Sequence, residues 1–250
     1  MKNEIIKSGI TGGLTTAVSV VFSSHPEIAV LVSAGVPAFI ETVGDYVSQI
    51  LSKIQSNRLA NAIWDINNKL NVRISNGEQL RSDEFMTANE GEEAKQVMEG
   101  ILSSIKDEFE KKKVTYHSSF FANLCFSEKI IFNQAITISK ILKNLSYRQL
   151  VIVAYTRKVK QLKTGGWEAR FKDFNKLAAF GDLYSEILDL YHSGILVQDC
   201  IGHMLGGAPY RLSELGNILY DEVSLNDMPI EELSEIENSI NTINQIISGK

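Results

Sequence analysis

A chain of 250 residues with 44% apolar and 22% charged side chains can bury a core of its own, so neither disulfide nor metal staples are needed to fold it. A net charge of −5 excludes a protein that coats nucleic acid over its whole surface and leaves room only for a local basic patch. Two cysteines, Cys125 and Cys200, form no disulfide framework and suit a reducing cytoplasm.

Taken in chain order, the elements predict a mainly α protein, a helical bundle with a C-terminal winged-helix-like unit that carries a short β-hairpin. Residues 1–75 are expected as an apolar helical hairpin followed by a helix, 76–92 as a linker, and 93–250 as a helical domain. The N-terminus has no small-residue cleavage site after a short apolar run, so no secretory signal is read there.

Between Lys7 and Glu41 the sole formal charge is Glu27. Pro26 is placed to start a second helix. Small residues recur at i, i+4 spacing, Gly9, Gly13 and Ala17, then Ala34 and Ala38, a spacing that lets helix backbones approach closely. With Val21 and Phe22 they are the candidate membrane or partner contacts. Each half is shorter than the roughly 20 residues a membrane span needs. Two readings stay open: a buried hairpin inside a soluble fold, or a segment that engages a bilayer and holds the protein at the periphery of the inner membrane.

From Thr42 to Leu70 the apolar positions keep helical period, with Leu59, Ile63, Ile66 and Leu70 on one face. Residues 75–92 are charged, contain Gly77 and Gly91, and lose that period, so they read as a loop and domain boundary. Helical period returns at 92, with Val97, Ile101, Ile105 and Phe109 on one stripe. The run Glu108, Glu110, Lys111, Lys112, Lys113 reads as a solvated face. Ser127 is expected to cap a helix that ends near Leu145, and Ser146 to cap the next.

Residues 156–176 turn basic. Arg157, Lys158, Lys160, Lys163, Arg170 and Lys172 are the candidate phosphate-binding cations, with Trp167 and Phe171 among them. The competing reading is a solvated helix–turn–helix with its aromatics folded inward.

Phe180–Val223 carries the winged-helix-like pattern. A helix with Leu183, Ile187, Leu188 and Tyr191 on one face ends at Gly194. A strand begins at Ile195, Gly206 and Gly207 turn the chain, and Tyr210–Leu212 returns. Ser213 caps the following helix. The helix ahead of the hairpin is the one that would read a major groove, and it offers Asp182, Glu186 and Asp189 without Lys or Arg. Such a helix is repelled by phosphates, so the unit reads as a protein-docking module or structural end. Leu233, Ile236, Ile240, Ile243 and Ile247 form a last apolar seam, too short for a free coiled coil and suited to packing on its own chain.

The sequence has no GxxxxGK[ST], GxGxxG after a strand, HExxH or GxSxG motif. Cys200 and His203 have CxxH spacing, but one pair without a second is not a zinc signature. No metal, cofactor or catalytic residue is therefore expected. The reading is a non-enzymatic interaction or effector protein. Its expected partner is another protein or a second copy, with a membrane as a further partner. A nucleic-acid-binding regulator that uses the 156–176 patch is the alternative.

The layout resembles a known group. An apolar Gly/Ala-rich hairpin and a charged loop precede EEAKQVMEGILSSIKDEFEKKKVTYHSSFFANL (92–124). LSYRQLVIVAYTRK (145–158), LYSEILDLYHSGIL (183–196) and YRLSELG (210–216) follow. In order and spacing this is similar to bacterial and prophage proteins of the Abi-alpha-like group, associated with abortive phage infection. The resemblance implies a bacterial cytoplasmic protein in phage defence and carries over no functional residue.

Overall fold

The computed structural model describes residues 53–87, 92–164, 167, 178–198 and 208–248. The protein is mainly helical, with a small antiparallel hairpin near the C-terminus. Its chain divides into two compact units at Asn144–Leu145.

In the first unit, α1 (Lys53–Ser75) packs on α3 (Glu92–Asp107) and α4 (Lys111–Leu124). The reason is the expected stripe: Leu59, Ile63, Ile66 and Leu70 are all buried. Trp64, beside the stripe, is 42% exposed. Helix α5 (Phe132–Asn144) adds Ala135, Ile138 and Leu142 to the core and packs against α3 and α4. The segment 76–92, expected as a boundary, lies within this unit. It carries the one-turn helix α2 (Glu84–Thr87) and is anchored by Arg81. The Arg81 guanidinium is buried, bonded to the Asp83 carboxylate and to the Ile130 carbonyl at 3.0 Å, and set 4.4 Å from the Phe85 ring centroid. A charged residue thus does the anchoring that apolar period would otherwise have signalled.

Three local expectations change here. Phe109 lies past the end of α3 and is 82% exposed, off the stripe of Val97, Ile101 and Ile105. The charged run is only partly solvated, because Glu108 and Lys113 are buried. Helix α5 starts at Phe132 rather than after Ser127, with the Ile131 N–H donating to Gln134 Oε1 at 3.3 Å.

The second unit is built around α6 (Tyr147–Val159). Every residue from Gln149 to Thr156 is buried. A stretch buried on all sides has no solvent face and so no amphipathic period, and it sits in the middle of the core. Around it pack α7 (Ala178–His192), β2 (Tyr210–Leu212), α8 (Glu214–Glu222), a 3-10 turn at Leu225–Asp227 and α9 (Ile230–Ser248). The seam of α9 buries Ile236, Ile240 and Ile243, and α9 packs on α6 of its own chain. Ser146 caps α6 in a reciprocal box with Gln149, as its position predicts. Ser213 caps α8 through the Gly216 N–H.

Gly194, at φ +75°, lets the chain leave α7 and enter β1 (Leu196–Gln198). Strand β1 pairs antiparallel with β2, Leu196 facing Leu212 and Gln198 facing Tyr210. On the other side of β2, Leu162 and Tyr210 exchange two backbone hydrogen bonds, at 2.7 and 2.9 Å. The extended chain after α6 therefore forms a third short edge beside the hairpin.

Helix α8 meets β1 closely at one point. A Cβ at Gly216 would stand 2.3 Å from the Ile195 carbonyl oxygen, which also accepts from the Ser213 N–H at 3.0 Å. Gly216→Ala is expected to cost about 1–3 kcal/mol by overpacking against fixed backbone. Urea unfolding of the variant, followed at a probe in the second unit, checks this.

Candidate functional site

The C-terminal turn of α6, strand β2 and helix α8 line an open groove of about 560 Å³ in the second unit. Among the described residues its lining is Thr156, Arg157 and Lys160 from the first of these, Arg211 and Leu212 from the strand, and Asn217 from α8. Thr156 and Leu212 form the buried floor, while Arg157, Lys160 and Arg211 are exposed. Three cations thus converge on one concavity in a chain of net charge −5.

Local structure fixes each of them. Arg157 lies in the last turn of α6, where the helix dipole favours a cation. Its Nη1 donates to Asn217 Oδ1 at 2.6 Å, and the guanidinium stands 5.5 Å from the Tyr220 ring centroid. Asn217 is itself held by its Nδ2, which donates to the Ser213 carbonyl at 2.9 Å. Among the described residues this is the one hydrogen bond of the Arg157 side chain, so further N–H groups of its donor fork remain uncommitted. Lys160 ends α6 with φ +64°, which turns the chain so that Leu162 can reach Tyr210. Arg211 projects from β2 between Tyr210 and Leu212, whose side chains are buried. Burial raises the Tyr220 hydroxyl above its usual range, so the ring stays neutral beside Arg157 at physiological pH.

The predicted cations separate into three groups. Arg157 and Lys160 line the groove. Lys158 and Lys163 are exposed but outside the lining, and the Lys158 ammonium lies 3.8 Å from Glu237 on α9. Arg170 and Lys172 lie outside the described residues, as do Phe171, Cys200, His203 and the N-terminal set Gly9, Gly13, Ala17, Val21, Phe22, Ala34 and Ala38. Trp167 is folded inward. It is fully buried, its indole N–H donates to Asn244 Oδ1 at 3.0 Å, and it packs edge-on to Tyr184. Arg211 and Asn217 are the groove residues that the sequence did not single out. Arg211 was visible as the lone cation of the hairpin, and Asn217 carried no signal.

On α7, Asp182 and Asp189 are exposed, whereas Glu186 is paired with Arg148 of α6 at 3.1 Å. His192 is exposed at the end of the same helix, its ring tilted at 54° to that of Tyr191.

The first unit holds a second charged cluster of a different kind. Glu108 Oε2 accepts from Lys113 Nζ at 2.8 Å and lies 3.6 Å from His117 Nε2, an electrostatic contact longer than a hydrogen bond. The other Glu108 oxygen accepts from the Glu110 N–H at 3.0 Å, and Lys113 also donates to the Lys143 carbonyl at 2.9 Å. Burial pushes the Glu108 carboxyl up, but His117, Lys113 and the Glu110 N–H lower it by more, to about 2. Burial pulls the His117 imidazole down, Glu108 opposes this, and Lys113 and Lys143 add to the lowering. All three side chains are almost wholly shielded from solvent, so the cluster serves the core. Cys125, also buried in this unit, has its thiol pushed up by burial to about 12, which makes it inert as a nucleophile.

Among the described residues no group of three or more His, Cys, Asp or Glu could hold a metal ion. Nor is any described helix long and apolar enough to cross a membrane. Compared with family models, curated proteins and solved structures, the chain has no match.

Proposed function

We propose that this protein is a non-enzymatic binding protein whose second unit is a winged helix-turn-helix that recognises phosphate-bearing partners through its cationic groove. The convergence of Arg157, Lys160 and Arg211 on one concavity carries the reading. The winged-helix assignment is supported by the order of elements. Helix α6, the edge at Leu162, helix α7 and the hairpin follow in sequence, and Leu162 pairs beside β2. In that arrangement α7 would be the groove-reading helix. Its exposed Asp182 and Asp189 argue against duplex recognition by that route, so phosphate recognition is assigned to the opposite chemistry, the α6–β2–α8 groove.

Electrostatic binding of this kind weakens with salt. A labelled random-sequence duplex and long-chain inorganic polyphosphate, titrated across salt concentration, test it. At least one is expected to bind at low salt, to be recovered chemically unchanged, and to be released by the triple variant Arg157→Glu, Lys160→Glu, Arg211→Glu. Absence of binding by both at low salt, or binding indifferent to the triple variant, rejects the reading.

A second reading concerns the near-charge-free run 8–40, in which Glu27 is the one formal charge. It is proposed as the segment through which the protein engages a membrane. Full-length chain is expected to float with anionic liposomes and chain lacking residues 1–41 to stay behind. Equal flotation of the two removes the proposal. The setting proposed from the Abi-alpha-like layout is phage defence, which reduced plaque counts on a host expressing the chain would support and unchanged counts would reject.

A further inference from the structure

We infer that the groove takes a compact ligand with adjacent phosphates, a nucleoside di- or triphosphate, in preference to a nucleic-acid backbone. The inference rests on the phosphate-binding reading and narrows it to a ligand class.

Shape is the first argument. A concavity of about 560 Å³ falls in the range of roughly 300–1,000 Å³ typical of small-ligand sites. A duplex offers its phosphates one at a time along a convex ridge, and proteins meet it with cations spread over a surface. Here three cations share one concavity, which matches phosphates joined directly to one another.

Donor chemistry is the second. Two of the three cations are arginines, whose planar forks bind phosphate oxygens in pairs, and the third is a lysine, which acts as a point charge. Asn217 is the positioning residue. Its Oδ1 accepts from Arg157 and its amide is tied to Ser213, so it fixes the guanidinium rather than meeting the ligand.

The third argument is rigidity. Arg157 is held by Asn217 and Tyr220, Arg211 stands on a paired strand, and Lys160 occupies a single constrained backbone turn. The Arg157 fork is thus ordered before binding and the other two cations are fixed at the backbone, which lowers the cost of holding a small ligand with few contacts to offer.

The test is calorimetric titration of the full-length chain at low salt with inorganic pyrophosphate, ATP, AMP and a short random-sequence duplex. Pyrophosphate and ATP are expected to bind within about tenfold of each other, and both at least about tenfold tighter than AMP, the difference that one lost charge-assisted contact makes. Arg157→Gln, Lys160→Gln and Arg211→Gln should each weaken ATP by about five- to tenfold or more. Lys129→Gln, on the exposed surface of the first unit, should leave ATP binding unchanged. Arg157→Lys separates charge from geometry: it keeps the charge and loses the fork, and should still weaken ATP. Asn217→Ala should weaken ATP while Arg157→Gln/Asn217→Ala is no weaker than Arg157→Gln alone, the signature of a residue acting through another. Duplex binding that depends on the same cations, without pyrophosphate or ATP binding, overturns this inference and leaves the phosphate-binding function standing. Absence of all four ligands at low salt overturns both. Binding of ATP that survives the three Gln variants overturns the placement in this groove.

Discussion

Lys113→Met is expected to destabilise the first unit by about 3–5 kcal/mol, the usual cost of stripping one partner from a buried ion pair. The side chains of Lys113 and Glu108 are 3% and 5% exposed and 2.8 Å apart. Removing the ammonium leaves the Glu108 carboxylate with the Glu110 N–H and the neighbourhood of His117. The double variant Glu108→Gln/Lys113→Met should recover a large part of the loss, because no charge is then stranded. Chemical denaturation of the four chains in this cycle measures it, and additive losses would show that the pair is not coupled.

The same cluster sets an acid limit on stability, and the sign is the same for both titrating groups. The His117 pKa is lowered in the folded chain from an ordinary 6.5, so its contribution is complete above that pH and is lost as pH falls below it. Glu108 is lowered from 4.5 to about 2, so its contribution is complete above pH 4.5 and is lost as pH falls towards 2. Unfolding free energy measured against pH should therefore decline from pH 6.5 downward and more steeply below 4.5. Glu108→Gln should flatten the lower part of that decline. A wild-type profile flat from pH 7 to 5 would contradict the burial of a neutral His117.

The second large effect is expected at Trp167. Trp167→Ala should cost the second unit about 3–5 kcal/mol, the range for deleting a fully buried aromatic. The residue is 0% exposed, in edge contact with Tyr184, and bonded through its N–H to Asn244 on α9. Trp167→Phe keeps most of the apolar bulk and should cost less, with the lost hydrogen bond contributing about 1 kcal/mol. The two tryptophans make the readout specific. Trp64 lies in the first unit and Trp167 in the second. In Trp64→Phe the remaining fluorescence reports the second unit alone, and a red shift on unfolding follows Trp167. If Trp167→Ala leaves every far-ultraviolet dichroism transition of the chain where the wild type has it, Trp167 is not a core residue.

What the sequence made legible was local. Ser146, Ser213 and Gly194 announce helix ends because capping and left-handed turns are decided within four residues. The stripes of α1 and α9 are legible because burial on one face imposes a period. The buried pair in 108–113 was not. Five charges in six residues read as solvated, and only the break between α3 and α4 turns Glu108 and Lys113 towards each other. Arg81 was hidden for the same reason, since a buried guanidinium satisfied by Asp83 and Ile130 looks like any loop arginine in sequence. The groove was half legible. Arg157 and Lys160 stand out as part of a basic run, but Arg211 and Asn217 join them only through the register of Leu162 against Tyr210, a contact across some 50 residues of chain. Residues 165–176, which the basic run also includes, contribute to the described structure only through Trp167.

Lys160 gives that register a cost. At φ +64° a side chain with a Cβ is disfavoured by about 1–2 kcal/mol, and glycine would hold the same turn more easily, at the expense of a more flexible unfolded chain. A lysine here keeps a strained backbone and a charge at one address. Lys160→Gly should therefore split two properties that most substitutions lose together: the melting temperature should hold or rise while affinity for a polyphosphate drops. A position where the sturdier residue is the poorer binder is one where selection for stability alone would have removed the lysine, and the melting temperature and the affinity of one variant weigh those two demands against each other.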